Sequence, residues 1–383
     1  MNLETLKCLL DLPKRQELYY NILDFLENLD ELDYFVYEKF KISEEFIPVL
    51  YIGDNFNLKK VKYVKIFVGA QHNEYNGLFG ILEYLNLIKK QKISIKEILL
   101  KNQILIFFPL MNPYGFLNPS KLNKSGYYLK NGTNLNRFWR RTFAPEFNDL
   151  NDDYREYPIP EHAKIIKKIL KKYWIEEDVT IYLLDFHETS LLEKFPLDLI
   201  QNLSLYYKFD HFLKEVIIKN IIKIDNIKYY RKPLFFKCIA SADHKHISLT
   251  IKQLETVHEK LTEYIAKNKD KLPFFFSYSD RSKKYCQRLA FNVYNKLKDK
   301  LWKTYYFALE HFHDHGCFVK MADATTRKNF YSMELESEKQ IFDLFEEIEK
   351  SKTNPNYFEN KLNYINLSLE LAVETIKEMT NLF

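Results

Sequence analysis

The chain has 383 residues of which 46% are hydrophobic, enough for one large catalytic domain or two ordinary ones around a sizeable core, and this excludes disorder as its main state. Lys and Arg number 57 against 52 Asp and Glu, and the formal +5 is interleaved with acids, so a nucleic-acid-binding stripe is excluded as well. With only eight Gly, the chain holds neither a P-loop nor a dinucleotide fingerprint.

Taken in chain order, residues 1–13 lack the basic start, unbroken apolar stretch and cleavage site of a signal peptide. No apolar run approaches the roughly 20 residues that a membrane span needs. A soluble, cytoplasmic protein with no membrane partner is therefore expected. Residues 1 to about 45 place Leu18, Ile22, Phe25 and Leu26 at helical spacing and are predicted to form a helical extension. From 46 the pattern changes. The stretches 46–53, 61–70 and 98–110 are β-branched or aromatic runs, and between the last two, Leu78, Ile81, Leu82, Leu85 and Leu87 predict a helix over 74–92. A helix is predicted at 160–174 and a strand at 179–186. Several helices and two or three aromatic strands are expected across 194–300, then a strand at 301–312 and closing helices at about 331–351 and 356–381. Alternating strands and helices imply a largely parallel or mixed sheet wrapped in helices. One α/β catalytic domain over 46–383, with an insertion around 190–300, accounts for this order. The four cysteines (Cys8, Cys238, Cys286, Cys317) show no CxxC spacing, so reduced thiols are expected rather than a zinc ribbon or a disulfide framework.

Four segments carry chemistry. In Gly69-Ala70-Gln71-His72-Asn73-Glu74 an apolar strand meets a helix, and a side chain at the strand end can converge on one ion with Glu74, a carboxylate on the first helical turn. Asn112-Pro113-Tyr114-Gly115 follows the next strand, and Asn134-Leu135-Asn136-Arg137 follows it. The adjacent Asn136 and Arg137 offer an amide and a planar guanidinium fork suited to clamping a carboxylate. In Leu184-Asp185-Phe186-His187-Glu188-Thr189, Asp185 and His187 share a strand face, so the carboxylate can orient the imidazole. Glu310 ends the apolar run Tyr305-Tyr306-Phe307-Ala308-Leu309, where a carboxylate is costly unless paired or used, which makes it a candidate base. His244 and His246, and the series His311, His313, His315, alternate on strand faces, so a second metal is conceivable there, although packed or solvated histidines are the commoner explanation of such a pattern.

Together these segments resemble the zinc carboxypeptidase family, with its first ligand motif, its NPDG and DxNR segments, its single later His and its catalytic Glu on a late strand. The resemblance covers about residues 60–315. It implies an α/β fold with an eight-stranded mixed β-sheet flanked by helices, one Zn2+ ion, and hydrolysis of an amide bond next to a free carboxylate in a small peptide. It further implies zinc held by Glu74, His187 and one residue of the Gln71–His72 pair, with Glu310 as base and Asn136 and Arg137 gripping the substrate carboxylate.

The departures shape the expectation. The position of the family's first zinc His is Gln71, and His72 comes one residue later. Gln71 through its amide oxygen is similar to the DL-carboxypeptidase branch that trims peptidoglycan stem peptides; His72 is the other reading, and Gln71 is preferred. An amide oxygen is the weaker donor, so lower metal affinity is expected. Where the family often has an oxyanion-steadying Arg, this chain has Tyr127, with Arg140 or Arg141 as substitutes. Two other classes remain open: an N-acyl amino acid deacylase of the aspartoacylase or succinylglutamate desuccinylase type, and a non-catalytic relative that binds peptides. Among murein-derived peptides, a recycled tripeptide carrying diaminopimelate suits a cytoplasmic enzyme.

Overall fold

The computed structural model describes residues 3–53, 60–144, 156–174, 176–189, 266–302, 317–341, 343–354 and 356–382, with Tyr154, Glu259, Glu263 and the short strands at 228–231, 245–248 and 308–310. Two helices open the chain, α1 (Leu3–Leu10) and α2 (Leu12–Glu27). Pro13 sits in the first turn of α2, where a missing N–H costs nothing, and Tyr19, Ile22, Leu23 and Leu26 turn inward at helical spacing. The expected helical extension stops there. β1 (Phe35–Ile42) and β2 (Glu45–Ile52) pair antiparallel across a two-residue turn with Ser43 at φ +56°, so the sheet begins inside the first 45 residues.

β3 (Tyr63–Val68) and α3 (Asn76–Lys89) follow where they are expected. The predicted strand at 98–110 begins instead as the short helix α4 (Ile95–Leu99), N-capped by Ser94, and continues as β4 (Gln103–Phe108). Next come α5 (Pro113–Leu117), α6 (Trp139–Phe143), α7 (Glu161–Trp174) and β5 (Thr180–Thr189). β6 (Lys228–Arg231) and β7 (Lys245–Ser248) form a separate antiparallel pair, and most of the expected insertion lies outside the described residues. The chain ends with β8 (Phe274–Tyr278), α8 (Lys283–Leu297), β9 (Ala308–Glu310), β10 (Phe330–Glu338), α9 (Leu344–Thr353) and α10 (Tyr357–Asn381). The helix expected over 331–351 is thus corrected to a strand followed by a shorter helix. Met333-Glu334-Leu335-Glu336 alternates with period two, which outweighs the helix propensity of Glu and Leu once the strand has a sheet to join.

The eight main strands lie in the order β1-β2-β4-β3-β5-β10-β8-β9. β4, β3, β5 and β10 run parallel at the centre, with β2 and β8 antiparallel on either side. This is the α/β architecture with an eight-stranded mixed sheet that the resemblance implies. Buried parallel strands need cover on both faces. Phe67, Phe107, Leu184, Phe186, Met333 and Leu335 face α1, α2, α3, α8 and α10, whereas Val64, Ile66, Ile104, Ile106, Ile181 and Leu183 face α6 and α7. The close seat of α3 requires Gly77, since a Cβ there would lie 2.4 Å from Cβ of Phe186. All four parallel strands end at one edge. β3 lies between β4 and β5, so the connections leave it in opposite directions and open a crevice at their carboxyl ends.

Candidate metal centre

The path that brings Glu74 to this crevice starts where β3 stops. Ala70 adopts φ +42°, a conformation disfavoured for a residue with a Cβ, and turns the chain sharply. The turn is held by N–H groups of Met111 and Asn112 donating to the carbonyls of Gly69 and Ala70 at 3.2 and 3.0 Å. Asn76, the first residue of α3, then ties the ends of two strands, β5 and β10, to the helix. Its backbone N–H donates to Glu188 at 3.0 Å, and its amide donates to the carbonyl of His187 at 3.3 Å and to Ser337 at 2.7 Å.

His187 is the hub. Nδ1 lies 2.7 Å from Oε2 of Glu74, and Nε2 lies 2.7 Å from Oδ2 of Asp185 and 3.8 Å from Oε1 of Glu334. Burial pushes the imidazole down, but Asp185 and Glu74 outweigh it and hold its pKa well above the usual value. Burial likewise raises Glu74, yet His187, with Lys339 at 3.9 Å behind it, brings that carboxyl down to about 2. Asp185 is shifted upward, chiefly by burial. Its Oδ2 accepts from Gln71, while its buried Oδ1 has no hydrogen-bond partner among the described residues.

β10 supplies two carboxylates that sequence reasoning missed. Paired in parallel with β5, it sets Glu334 beside Asp185 and Glu336 beside His187, on the same face. Glu334 is 1% exposed and accepts from the N–H of Val319 at 3.4 Å; Glu336 is half-buried. Burial raises Glu334 to about 7 and Glu336 to about 8, with the neighbouring acids adding to the shift. Ligand atoms of Asp185, His187 and Glu334 lie within 4.8 Å of one another. The alternation of Glu with Met and Leu in 333–336 was the available signal, but it reads equally as one face of a helix.

The segment after β4 builds the opposite wall. Asn112 caps α5 through Gly115 and donates to the carbonyl of Tyr128, and Asn134 accepts from the N–H of Asn136 and donates to the Tyr127 hydroxyl at 3.0 Å. Asn136 Oδ1 accepts from Phe318 N–H at 2.8 Å, and its Nδ2 lies 3.4 Å from His187 Nε2. Arg137 is half-buried, with one guanidinium N–H donating to the carbonyl of Asn136 at 2.9 Å. His72 stacks on Tyr127 with ring centroids 4.3 Å apart, and its centroid is 5.6 Å from that of His187. Burial holds His72 down at about 3, so it is neutral and keeps a lone pair.

The structure therefore brings together Gln71, His72, Glu74, Tyr127, Asn136, Arg137, Asp185 and His187. It separates Glu310. That residue ends β9, the edge strand three positions from β5, or roughly 14 Å at normal strand spacing, and its side chain lies outside the described residues. The late-strand carboxylates beside His187 are those of β10. Arg141 is committed to the carbonyls of Tyr154 and Tyr157. Position 246 is on β7, and His244, His311, His313 and His315 lie outside the described residues. Gln71 reaches the site with its amide oxygen accepting from the Trp139 indole N–H at 2.8 Å.

Solved structures similar to this chain include metallo-carboxypeptidases. A metallo-carboxypeptidase from Burkholderia cenocepacia is 11% identical, with 94% of this chain and 67% of that one covered at a TM-score of 0.47. One from Pseudomonas aeruginosa, in complex with (2-guanidinoethylmercapto)succinic acid, is also 11% identical and gives 94%, 67% and 0.44. Bovine thrombin-activatable fibrinolysis inhibitor in complex with tick carboxypeptidase inhibitor is 11% identical, with 95% and 97% covered at 0.45. No protein-family model and no curated protein matches the chain. At such scores nothing about the site is carried across from these structures.

The donors themselves fit a cation. Carboxylate oxygens and a neutral imidazole are the ligand types that divalent zinc takes, and an unpartnered buried carboxylate oxygen is costly without a proton or an ion beside it. Among the described residues, no helix is long and apolar enough to cross a membrane.

Proposed function

We propose that this chain is a zinc-dependent metallocarboxypeptidase, hydrolysing an amide bond next to a free carboxylate in a small peptide. One observation carries the reading: His187 is held between Glu74 and Asp185 with Glu334 close by, in a buried crevice whose wall presents Arg137. Glu74 and His187 would hold the ion, with Gln71 or His72 as the third donor. When bound, Zn2+ polarises the scissile carbonyl and acidifies a water.

The other roles belong to the chain. Arg137 is oriented by the carbonyl of Asn136, which leaves the rest of its fork to take the substrate carboxylate and fix the peptide's register. Asn136 is pinned by Phe318 N–H and braces the wall next to His187. Tyr127 accepts from Asn134 and keeps its own O–H to donate to the developing oxyanion. Glu336, in register with His187 and more open than Glu334, takes the proton from the attacking water and delivers it to the leaving nitrogen; this role passes to it from Glu310.

The test is zinc content and turnover of the purified protein. Close to one Zn2+ per chain, with release of C-terminal residues from small peptides, is the expected result, and murein-derived tripeptides come first in the panel. Cleavage of N-acyl amino acids alone would make the chain a deacylase. Stoichiometric peptide binding with no cleavage and little zinc after supplementation would make it a binding protein.

A further inference from the structure

Tyr127 enters the crevice at the end of a strained run of backbone. Lys124, Ser125 and Gly126 adopt φ of +41°, +60° and +102° in succession. Only the last is a glycine, so two residues carrying a Cβ hold a left-handed conformation that costs free energy at each position. Such a conformation persists where its surroundings over-determine it. Part of the hold is local: the N–H groups of Gly126 and Tyr127 both donate to the carbonyl of Asn123 at 2.9 Å, and that of Ser125 donates to the carbonyl of Ser120 at 2.8 Å. On one side the run is wedged against α5, where a Cβ added to Gly115 would run into the Gly126 carbonyl.

The other side is held by the segment that follows β10. Lys339 donates to the Asn73 side-chain oxygen at 2.9 Å, and the Asn73 amide donates to the carbonyl of Lys124 at 3.1 Å. The Ser125 hydroxyl, on a residue 3% exposed, donates to Asp343 at 3.2 Å and accepts the N–H of Leu344 at 3.0 Å. Asp343 is itself the N-cap of α9, its carboxylate accepting from the N–H groups of Phe345 and Glu346. The strands that the two segments leave, β4 and β10, stand three positions apart in the sheet, with β3 and β5 between them. A loop that only reverses the chain needs no anchor at that distance.

We propose that Ser125 and Asp343 are positioning residues for Tyr127: their contact locks the left-handed run 124–126 against the start of α9 and so fixes where the Tyr127 hydroxyl meets the developing oxyanion. The proposal rests on the oxyanion role given to Tyr127 above and deepens it, since the first turn of α9 then acts on the reaction through Tyr127. The competing role for Ser125 is that of a second cap for α9, which would act on stability alone.

The two roles separate when stability and turnover are measured on the same variants of the full chain. Ser125→Ala and Ser125→Gly both delete the hydroxyl, but glycine also relieves the left-handed conformation, so Ser125→Gly should melt above Ser125→Ala and yet turn over no faster. It also covers the case of a Ser125→Ala chain that does not fold. With the zinc-loaded chain and tripeptides ending in a free carboxylate, both changes should lower kcat by about 10- to 100-fold with KM unchanged, because a misplaced oxyanion donor is missed only in the transition state. On a Tyr127→Phe background neither should lower kcat further. Asp343→Asn keeps the acceptor oxygen and should hold the wild-type kcat, whereas Asp343→Ala should not. Fluorotyrosine labelling gives a readout independent of turnover: the 19F resonance that Tyr127→Phe removes should shift toward that of an unfolded chain in both Ser125 variants. Wild-type kcat or an unmoved Tyr127 resonance in the Ser125 variants, a kcat that follows melting temperature, or equal losses with and without the Tyr127 hydroxyl overturns the proposal and leaves the zinc reading in place. A Tyr127→Phe chain with full turnover overturns the oxyanion role and this proposal together, and a wild type with neither zinc nor turnover overturns the reading beneath both.

Discussion

Glu336→Gln exchanges a carboxylate for an amide of the same shape at the position in register with His187, so it removes the proton acceptor and little else. Turnover should fall by about 100- to 10,000-fold with zinc stoichiometry unchanged, as read by steady-state kinetics and metal analysis on one preparation. Undiminished activity in that variant would return the search for the base to β9 or to Glu334. Arg137→Met keeps the apolar stem and deletes the fork; a charge-assisted contact worth about 2 kcal/mol predicts KM raised by roughly 30-fold for substrates ending in a free carboxylate. Amidated substrates should be indifferent to the change. At this scale the legible residues were those in short local patterns, Gln71 to Glu74, Asn136-Arg137 and Asp185-x-His187. Glu334 and Glu336 were not legible, because nothing near them in the chain shows that their neighbour is β5.

Arg15 shows how an element outside the site supports it. Lying on α2 and 1% exposed, its guanidinium donates to the carbonyls of Leu9 and Phe116 and to the Tyr75 hydroxyl at 2.6, 2.8 and 3.1 Å. It also stands about 5 Å from the ring centroids of Tyr75 and Phe116. Tyr75 follows Glu74, and Phe116 belongs to α5, so this one side chain staples the first helices to both loops of the crevice. Arg15→Ala strands buried acceptors and opens a cavity, and it should cost about 3 kcal/mol or more by denaturant unfolding. A loss below about 0.5 kcal/mol would show the N-terminal helices to be a dispensable addition. Their helical spacing was readable beforehand; that the following residues form β1 was not, since an edge strand gains its stability from the partner it pairs with.

Across the whole molecule, burial of charge sets the dependence on conditions. Lys65 is fully buried in β3, with Nζ donating to the carbonyl of Thr380 at 3.0 Å near the end of α10, and burial lowers its pKa to about 7. The native state sheds this proton near pH 7, whereas the unfolded chain keeps it to about 10.5, so Lys65 destabilises most below pH 7 and the penalty is relieved as pH rises through that window. Lys65→Met should raise Tm at pH 7 and flatten the rise in Tm between pH 7 and 10; a parallel offset at all pH values would refute the assignment. Zinc should act in the same global sense. The carboxylates around His187 repel one another, and an ion that binds only the native fold stabilises it by about 2.7 kcal/mol at one hundred times its dissociation constant. A Tm that stays constant from chelator to saturating Zn2+ would count against a metal centre.

The α/β class, the order of most strands and helices, and the residue types that could hold an ion or grip a carboxylate were determined by the sequence itself, because hydrophobic period, turn residues and short motifs act over a few neighbouring positions. Which carboxylates flank His187, which way the Gln71 amide points, and that β10 rather than β9 lies next to β5 were decided only in three dimensions. Those outcomes depend on strand register and on buried hydrogen bonds between segments far apart in the chain, and such pairings acquire an energy only when the sheet has formed.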